Sequence, residues 1–236
     1  MTINVLGAYE LSKMLRPQGR TPETYIHILM AVTPYFLLDL FGDKVPMFDL
    51  LLITSLLISL ILIGMLYYKG PIPYAKWSYV LAFVYWGLPY SLGSYYLINS
   101  NNETNLIALA VILLIWTSDT MAYFTGKRYG KTKLFESVSP NKTREGSLGA
   151  GLSIIALSTI IGLVSEQSIS MWIGIGIIVW IAGTYGDLVE SKMKRAAAVK
   201  DSGKLLPGHG GFLDRFDSLV MVIPFLLMLT LLATSK

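Results

Sequence analysis

Long apolar stretches separated by short polar segments run through most of the chain. Because an α-helix rises about 1.5 Å per residue, about 20 apolar residues cross a hydrocarbon core of about 30 Å. The pattern predicts an all-α, polytopic integral membrane protein with about seven transmembrane helices. The predicted spans are residues 25–41, 48–68, 77–98, 105–124, 147–164, 169–189 and 214–233. The first is the weakest, because Pro34 and Asp39 interrupt it.

Composition supports a membrane protein and excludes several kinds of site. Of the 236 residues, 53% are hydrophobic and 14% are charged, whereas soluble domains have about 25% charged residues. The sequence contains no Cys and two His, which excludes disulfides and zinc sites built from Cys or from several His. Residues 1–20 lack the basic start of a signal peptide. They predict a short interfacial helix or the tail of a membrane helix, with a frayed amphipathic terminus as the alternative.

The basic residues sort by alternate loops. Of the 19 Lys and Arg residues, all but Lys44 and Lys236 lie in segments 1–24, 69–76, 125–146 and 190–215. Cytoplasmic loops of membrane proteins carry an excess of Lys and Arg. We therefore predict a cytoplasmic N-terminus and two large cytoplasmic loops, residues 125–146 and 190–213.

Carboxylates collect at the helix ends predicted to be cytoplasmic, where ionisable groups are candidates for function. They are Asp119, Asp187, Glu190, Asp214 and Asp217. The last four form two i, i+3 pairs, each on one helical face. Oxygen ligands without His or Cys suit a hard cation such as Mg²⁺. The alternative is ordinary ion pairing with the nearby cations Lys192, Lys194, Arg195 and Arg215.

The two basic loops mix Lys and Arg with Gly, Ser and Thr. Cations supply charge for a phosphate, while glycine-rich backbone and hydroxyls supply close hydrogen-bond donors. The first loop taken alone could instead be a polybasic segment that faces anionic lipid. Its end, "SPNKTREG", offers helix caps and predicts a helix from about Arg144. Together the acids and basic loops favour Mg²⁺-assisted phosphoryl or nucleotidyl transfer.

Residues 191–218, "SKMKRAAAVKDSGKLLPGHGGFLDRFDS", closely resemble the signature of phosphatidate cytidylyltransferases, also called CDP-diacylglycerol synthases. The matching positions are Ser191, Lys194, Arg195, Lys200, Asp201, Gly203, Pro207, Gly208, His209, Gly210, Gly211, Asp214, Arg215 and Asp217. "DTMAYFTGKRYGK" and "SPNKTREGSLGA" also resemble family blocks. The resemblance extends from about residue 105 to the C-terminus, and it divides the chain into N-terminal membrane helices (1–104) and catalytic membrane helices (105–236).

The resemblance implies that CTP and phosphatidate react to give CDP-diacylglycerol and pyrophosphate. It implies Mg²⁺ held by Asp187 and Asp214, with Asp217 as a third ligand or a neighbour of the ligands, and it allows a monovalent cation such as K⁺ beside it. Catalytic roles then fall to Asp187, Asp214, Lys142 and Arg215. The candidate substrate-binding residues are Asp119, Ser139, Thr143, Glu145, Lys194, Arg195, Lys204, His209, Gly210 and Gly211. Glu145 would orient Lys142 or contact the cytosine.

Two departures from the family pattern affect these expectations. Arg144 stands where the family commonly has an aromatic residue, and the chain is short at its start relative to the family. We expect an enzyme of the bacterial cytoplasmic membrane whose site faces the cytoplasm, with no nucleic-acid partner and with a homodimer left open.

Four other functions compete with this one. A CTP-dependent polyprenol or lipid kinase, or a cytidylyltransferase for another lipid phosphate, is the main alternative. A CDP-alcohol phosphotransferase is disfavoured because its motif is absent. A secondary transporter would show an inverted repeat, which we do not find, and a catalytically dead relative is disfavoured by the intact acids.

Overall fold

The structure is a computed structural model that describes residues 1–17, 19–42, 46–99, 102–205 and 210–234, without the side chains of residues 102–104 and 234. The helices are α1 (Thr2–Leu15), α2 (Thr21–Phe41), α3 (Met47–Tyr67), α4 (Ser78–Leu81), α5 (Leu88–Ile98), α6 (Asn102–Tyr129), α7 (Arg144–Val164), α8 (Ile169–Ala196) and α9 (Asp217–Thr234). A π-helical turn, Ala82–Gly87, joins α4 to α5, and a 3₁₀ turn, Leu213–Arg215, precedes α9. Each predicted span corresponds to one of these helices or to the α4–π–α5 segment.

The chain is an all-α integral membrane protein. Among the described residues, five helices are long and apolar enough to cross a membrane: α2, α3, α6 from Asn105, α7 and α8. The apolar part of α9, Asp217–Ala233, is shorter, and the α4–π–α5 segment is divided by its π turn. The total of seven spans and the side on which the N-terminus lies stay predictions.

Helices α6 to α9 pack in chain order and form the body that positions the site. Glycines permit close approach at two of these contacts. A Cβ on Gly146 of α7 would lie 2.8 Å from the Ala122 carbonyl oxygen of α6, and one on Gly186 of α8 would lie 2.7 Å from the Asp217 carbonyl oxygen. Backbone approach of this kind is typical of small residues between membrane helices. It brings the last turns of α6 and α8 together with the first turns of α7 and α9.

The N-terminal helices pack around aromatic side chains of the α4–π–α5 segment. Tyr85 and Trp86 are fully buried, and the Trp86 indole donates to the Asn4 carbonyl at 3.2 Å. The amide of Asn4 in turn reaches the Ser91 hydroxyl at 3.1 Å. Helix α1 is therefore fixed against the membrane helices and is not a frayed terminus, while its interfacial position stays a prediction.

The loop between α6 and α7 contains a small antiparallel hairpin that the sequence did not predict. Strands β1 (Lys133–Phe135) and β2 (Ser139–Thr143) pair with Lys133 opposite Thr143 and Phe135 opposite Ser139. The predicted helix start is confirmed, since α7 begins at Arg144 and the Thr143 side chain accepts a hydrogen bond from the Gly146 amide at 3.1 Å.

Contacts join all four segments predicted to be cytoplasmic. Three hydrogen bonds make these connections: Glu10 with Leu213, Arg16 with the Ala75 carbonyl, and Arg195 with the Val138 carbonyl. Lys192 also donates to the carbonyl of Tyr68, the residue before the second segment. The basic segments therefore meet at one end of the helix bundle, called the polar end below. This arrangement is the one that the charge pattern predicts.

Candidate active site

A cavity of about 230 Å³ opens at the polar end between α6, α7, α8 and the start of α9. Polar groups of several segments line it: Ser118, Asp119, Asn141, Lys142, Thr143, Ser147, Thr184, Asp187 and Ser218. Its other walls are apolar and include Ile115, Ala150 and Val179. A charged region beside an apolar wall suits a molecule with a phosphate head and a hydrocarbon body.

An ion pair between Lys142 of β2 and Asp187 of α8 lies in this cavity. The Lys142 ammonium binds one carboxylate oxygen, and the Ser191 hydroxyl donates to the other at 3.2 Å. About a quarter to a third of each charged side chain remains exposed, 32% for Lys142 and 26% for Asp187. Asp119 of α6 lines the same cavity. The structure thus brings together Asp119, Lys142, Thr143 and Asp187 from the predicted set.

A second cluster surrounds Asp214 in the 3₁₀ turn. Lys194 donates to one Asp214 oxygen at 2.5 Å and to Glu190 at 2.8 Å. The other Asp214 oxygen accepts from the Ser202 amide and hydroxyl, both at 3.0 Å, and from the Gly211 amide at 3.1 Å. Burial alone would raise the pKa of Asp214, but the bonds and charge from Lys194 and the Ser202 donors outweigh it and lower the pKa.

Several predicted binding residues support the loops instead of lining the cavity. Glu145 accepts from the backbone amides of Lys131 and Thr132 at 3.1 to 3.2 Å, so its carboxylate holds the hairpin and does not orient Lys142. Arg195 donates to the carbonyls of Val138 and Val199. Ser139 pairs with Phe135 in the hairpin.

The remaining predicted residues lie around the Asp214 cluster. Lys204 is exposed, Gly210 has a positive φ of 84°, and Gly211 donates its amide to Asp214. Arg215 lies close enough to Asp119 to interact with it electrostatically. Asp217 is buried at the start of α9 and accepts from the Ser218 amide at 2.6 Å. His209 lies outside the described residues.

The predicted metal ligands are not assembled as one group. Among the described residues, no three His, Asp or Glu side chains lie together as a metal site. Of the three predicted ligands Asp187, Asp214 and Asp217, Asp187 lines the cavity and the other two do not. Asp214 lies in the separate cluster described above, bound by Lys194, Ser202 and Gly211, and Asp217 is buried. Mg²⁺ commonly uses one or two protein carboxylates together with substrate phosphates and water. Asp187 with Asp119 fits that requirement.

Sequence reasoning missed the hydroxyl and amide groups of the cavity: Ser118, Asn141, Ser147, Thr184 and Ser218. Each comes from a segment whose charged residue was noticed. Ser118 precedes Asp119, Asn141 precedes Lys142, and Thr184 lies three residues before Asp187 on the same helical face. Closeness in sequence to a charged residue was therefore the available signal, and helical spacing applies to Thr184.

The sequence profile of the Cytidylyltransferase family matches residues 1–233. The chain belongs to this family. It is 49% identical over 119 residues to a phosphatidate cytidylyltransferase of Bacillus subtilis, covering 50% of this chain and 44% of the relative. It is 42% identical over 137 residues to one of Staphylococcus saprophyticus, covering 57% and 53% respectively. An enzyme of the same name from Staphylococcus aureus is 41% identical over the same length, with the same coverage.

The matched region thus spans about half the length of these curated relatives. The family membership that the signature predicts is thus confirmed. The cavity and the Asp214 cluster therefore both lie at the polar end of a member of the Cytidylyltransferase family.

Proposed function

We propose that the chain transfers the cytidylyl group of CTP to phosphatidate and forms CDP-diacylglycerol and pyrophosphate. The observation that carries this proposal is the Lys142–Asp187 pair in a cavity at the end of membrane helices, with hydroxyl groups around it and an apolar wall beside it. The names of the relatives, phosphatidate cytidylyltransferases, support the same reaction. We place this activity in a bacterial cytoplasmic membrane, with the cavity facing the cytoplasm.

The reaction requires charge neutralisation more than proton transfer. A lipid phosphate oxygen attacks the α-phosphorus of CTP, a new P–O bond forms, and the bond to pyrophosphate breaks. The attacking oxygen is already anionic near neutral pH, so no strong general base is needed. This agrees with a cavity whose titratable side chains are two carboxylates, a lysine and the Tyr123 phenol. In such chemistry, catalysis depends mainly on positioning and on stabilising charge.

Lys142 is placed to stabilise a phosphoryl group. Its ammonium is partly exposed to the cavity and is held by Asp187. A phosphate oxygen would compete with Asp187 for this ammonium, and the Thr143 and Ser147 hydroxyls line the same wall. Asp187 and Asp119 would hold the Mg²⁺, which when bound adds positive charge to the phosphates and orients them. The apolar wall at Ile115, Ala150 and Val179 would face the lipid.

Two labels on CTP test the reaction. Purified protein in detergent receives phosphatidate, Mg²⁺ and CTP labelled with ³²P on either the α- or the γ-phosphorus. Cytidylyl transfer moves the α-label into lipid and leaves the γ-label in pyrophosphate, whereas a lipid kinase moves the γ-label. Absence of labelled lipid from folded protein, across several lipid phosphates, would reject the proposal.

A pair of matched variants ties the reaction to the cavity. Asp187→Asn should remove transfer of the α-label. Asp39→Asn makes the same change at a residue that does not line the cavity. Asp39 lies near the C-terminal end of α2, about 27 Å along the helix from its first residue, Thr21. Asp39→Asn should retain activity. Near-normal activity in both variants would show that the cavity is not the site.

A further inference from the structure

Glu10 of α1 lies far from the cavity residues in sequence, yet its carboxylate is buried within the Asp214 cluster. It is 2% exposed. One oxygen accepts from the Leu213 amide at 2.8 Å and from the Ser202 hydroxyl at 3.1 Å, and the other accepts from the Leu205 amide at 3.3 Å. A buried carboxylate without hydrogen bonds is costly. These donors therefore stabilise Glu10, and Glu10 in return fixes both sides of the loop.

Glu10 and Asp214 hold the same short segment from opposite sides. The Ser202 hydroxyl lies 3.1 Å from Glu10 and 3.0 Å from Asp214, and its single proton can serve only one of them at a time. The backbone amides complete the pattern, with Ser202 and Gly211 donating to Asp214 and Leu205 and Leu213 donating to Glu10. Two carboxylates from distant parts of the chain thus define one backbone conformation.

Two glycines show how closely the segment approaches these carboxylates. A Cβ on Gly203 would lie 2.4 Å from a Glu10 oxygen, and a Cβ on Gly211 would lie 2.7 Å from an Asp214 oxygen and 1.9 Å from the Ser202 hydroxyl. No side chain fits at either position without movement. The sequence therefore supplies glycine at both points where the backbone passes the carboxylates.

We propose that Glu10 is a positioning residue of the active site: its carboxylate clamps residues 202–205 and 211–213 and so sets the position of Asp214 and its partner Lys194. The N-terminal helix then belongs to the catalytic machinery. The expected effect of Glu10 on KM rests on the proposed function, whereas the hydrogen-bonded clamp itself does not. We assign the nucleotide rather than the lipid to this segment, because residues 202–205 lie beyond the end of α8 and a water-soluble substrate can reach them there.

Trypsin tests the clamp without any substrate. The peptide bond after the exposed Lys204 contributes the Leu205 amide that Glu10 binds, and cleavage there requires local opening. Glu10→Gln keeps the shape but removes one acceptor oxygen and points an NH₂ group at amide donors. We expect cleavage after Lys204 to become about tenfold faster or more. Glu23→Gln, whose carboxylate pairs with Arg16 at the surface, is the matched control and should cleave at the wild-type rate.

Kinetics separate positioning from a purely structural role. A KM does not depend on the fraction of protein that is folded, so loss of folded protein lowers only the apparent kcat. For Glu10→Gln we expect the KM for CTP to rise about tenfold while the KM for phosphatidate changes less than about twofold. Gly203→Ala approaches the same contact from the loop side and should give the same two changes, even where Glu10→Gln folds poorly.

Each result decides the proposal. Wild-type cleavage rates in both Glu10→Gln and Gly203→Ala would overturn the clamp. Faster cleavage with an unchanged KM for CTP would overturn positioning and leave a structural contact. Should the wild-type protein make no CDP-lipid, the proposed function fails, and equilibrium binding of labelled CTP then replaces KM as the measure of positioning.

Discussion

Two Lys–Asp pairs at the polar end differ in how far water and ligands can reach them. Lys142 and Asp187 face the cavity, with 32% and 26% of their side chains exposed. Lys194 and Asp214 are 10% and 17% exposed, and the Asp214 oxygen that Lys194 does not bind accepts hydrogen bonds from Ser202 and Gly211. An accessible pair can exchange its partner for a substrate phosphate, whereas an enclosed pair fixes the backbone around it, here at Ser202 and Gly211. Pairs of the same residue types thus have different roles because of their surroundings.

Removing the accessible cation should have the largest effect on turnover. Lys142→Met removes a positive charge from the cavity while leaving a long apolar side chain. We expect kcat to fall by about 10²- to 10³-fold, the usual cost of one group that stabilises transition-state charge, with a melting temperature close to that of the wild type. Lys131→Met, an exposed position in the same loop, is the control. A Lys142→Met variant with near-normal kcat would assign the charge stabilisation elsewhere.

Removing the enclosed carboxylate should lower stability as well as activity. Asp214→Asn weakens the bond to Lys194 and places an NH₂ group among donors from Ser202 and Gly211. Unsatisfied buried groups cost about 1–3 kcal/mol, so we expect a clear fall in the unfolding temperature in detergent. Activity lost with an unchanged melting temperature would show that Asp214 resembles Asp187 after all.

The sequence predicted the helices better than the roles of the charged residues. Apolar length placed a helix or the α4–π–α5 segment at each predicted position, because a lipid environment requires each backbone group to be bonded within a helix. The charged motifs and the family resemblance also placed Asp119, Lys142 and Asp187 among the candidate site residues. The sequence could not separate Asp187 from Asp214, since both are acids in motifs of similar composition. Their difference arises from Ser202, Gly211 and Lys194 around Asp214, which are tertiary contacts.

Glu10 shows the same limit of sequence-based prediction, here for a residue that the sequence did not place in the site. In the sequence it interrupts the apolar character of the first segment and suggests an interfacial helix. No spacing rule links it to Ser202 or Leu213, about 200 residues away. Only the packing of α1 beneath the 3₁₀ turn reveals its hydrogen bonds.

Acid should remove the contribution of Asp214 and thereby reduce the difference between the wild type and Asp214→Asn. The folded protein lowers the pKa of Asp214, so its ionised form stabilises the fold. That contribution is complete above the unfolded-state pKa, about 3.9 for Asp, and is lost as the pH falls through the lower folded-state pKa. Unfolding of both proteins in detergent at pH 7 and from about pH 4 downwards measures it. A stability difference that stays constant through this range would contradict the assignment.

The smallest effect is expected for an exposed pair of the same kind. Arg16 and Glu23 lie 3.2 Å apart with 29% and 33% of their side chains exposed. Exposed ion pairs contribute roughly 0–1 kcal/mol, because water screens them and both side chains lose freedom. Glu23→Gln should therefore shift the unfolding temperature little and leave kcat and both KM values unchanged. Arg16 also donates to Ala75 and Tyr79, so it keeps its place without Glu23. A loss as large as that of Asp214→Asn would mean that exposure does not distinguish the pairs, and the contrast between the two Lys–Asp pairs would lose its physical basis.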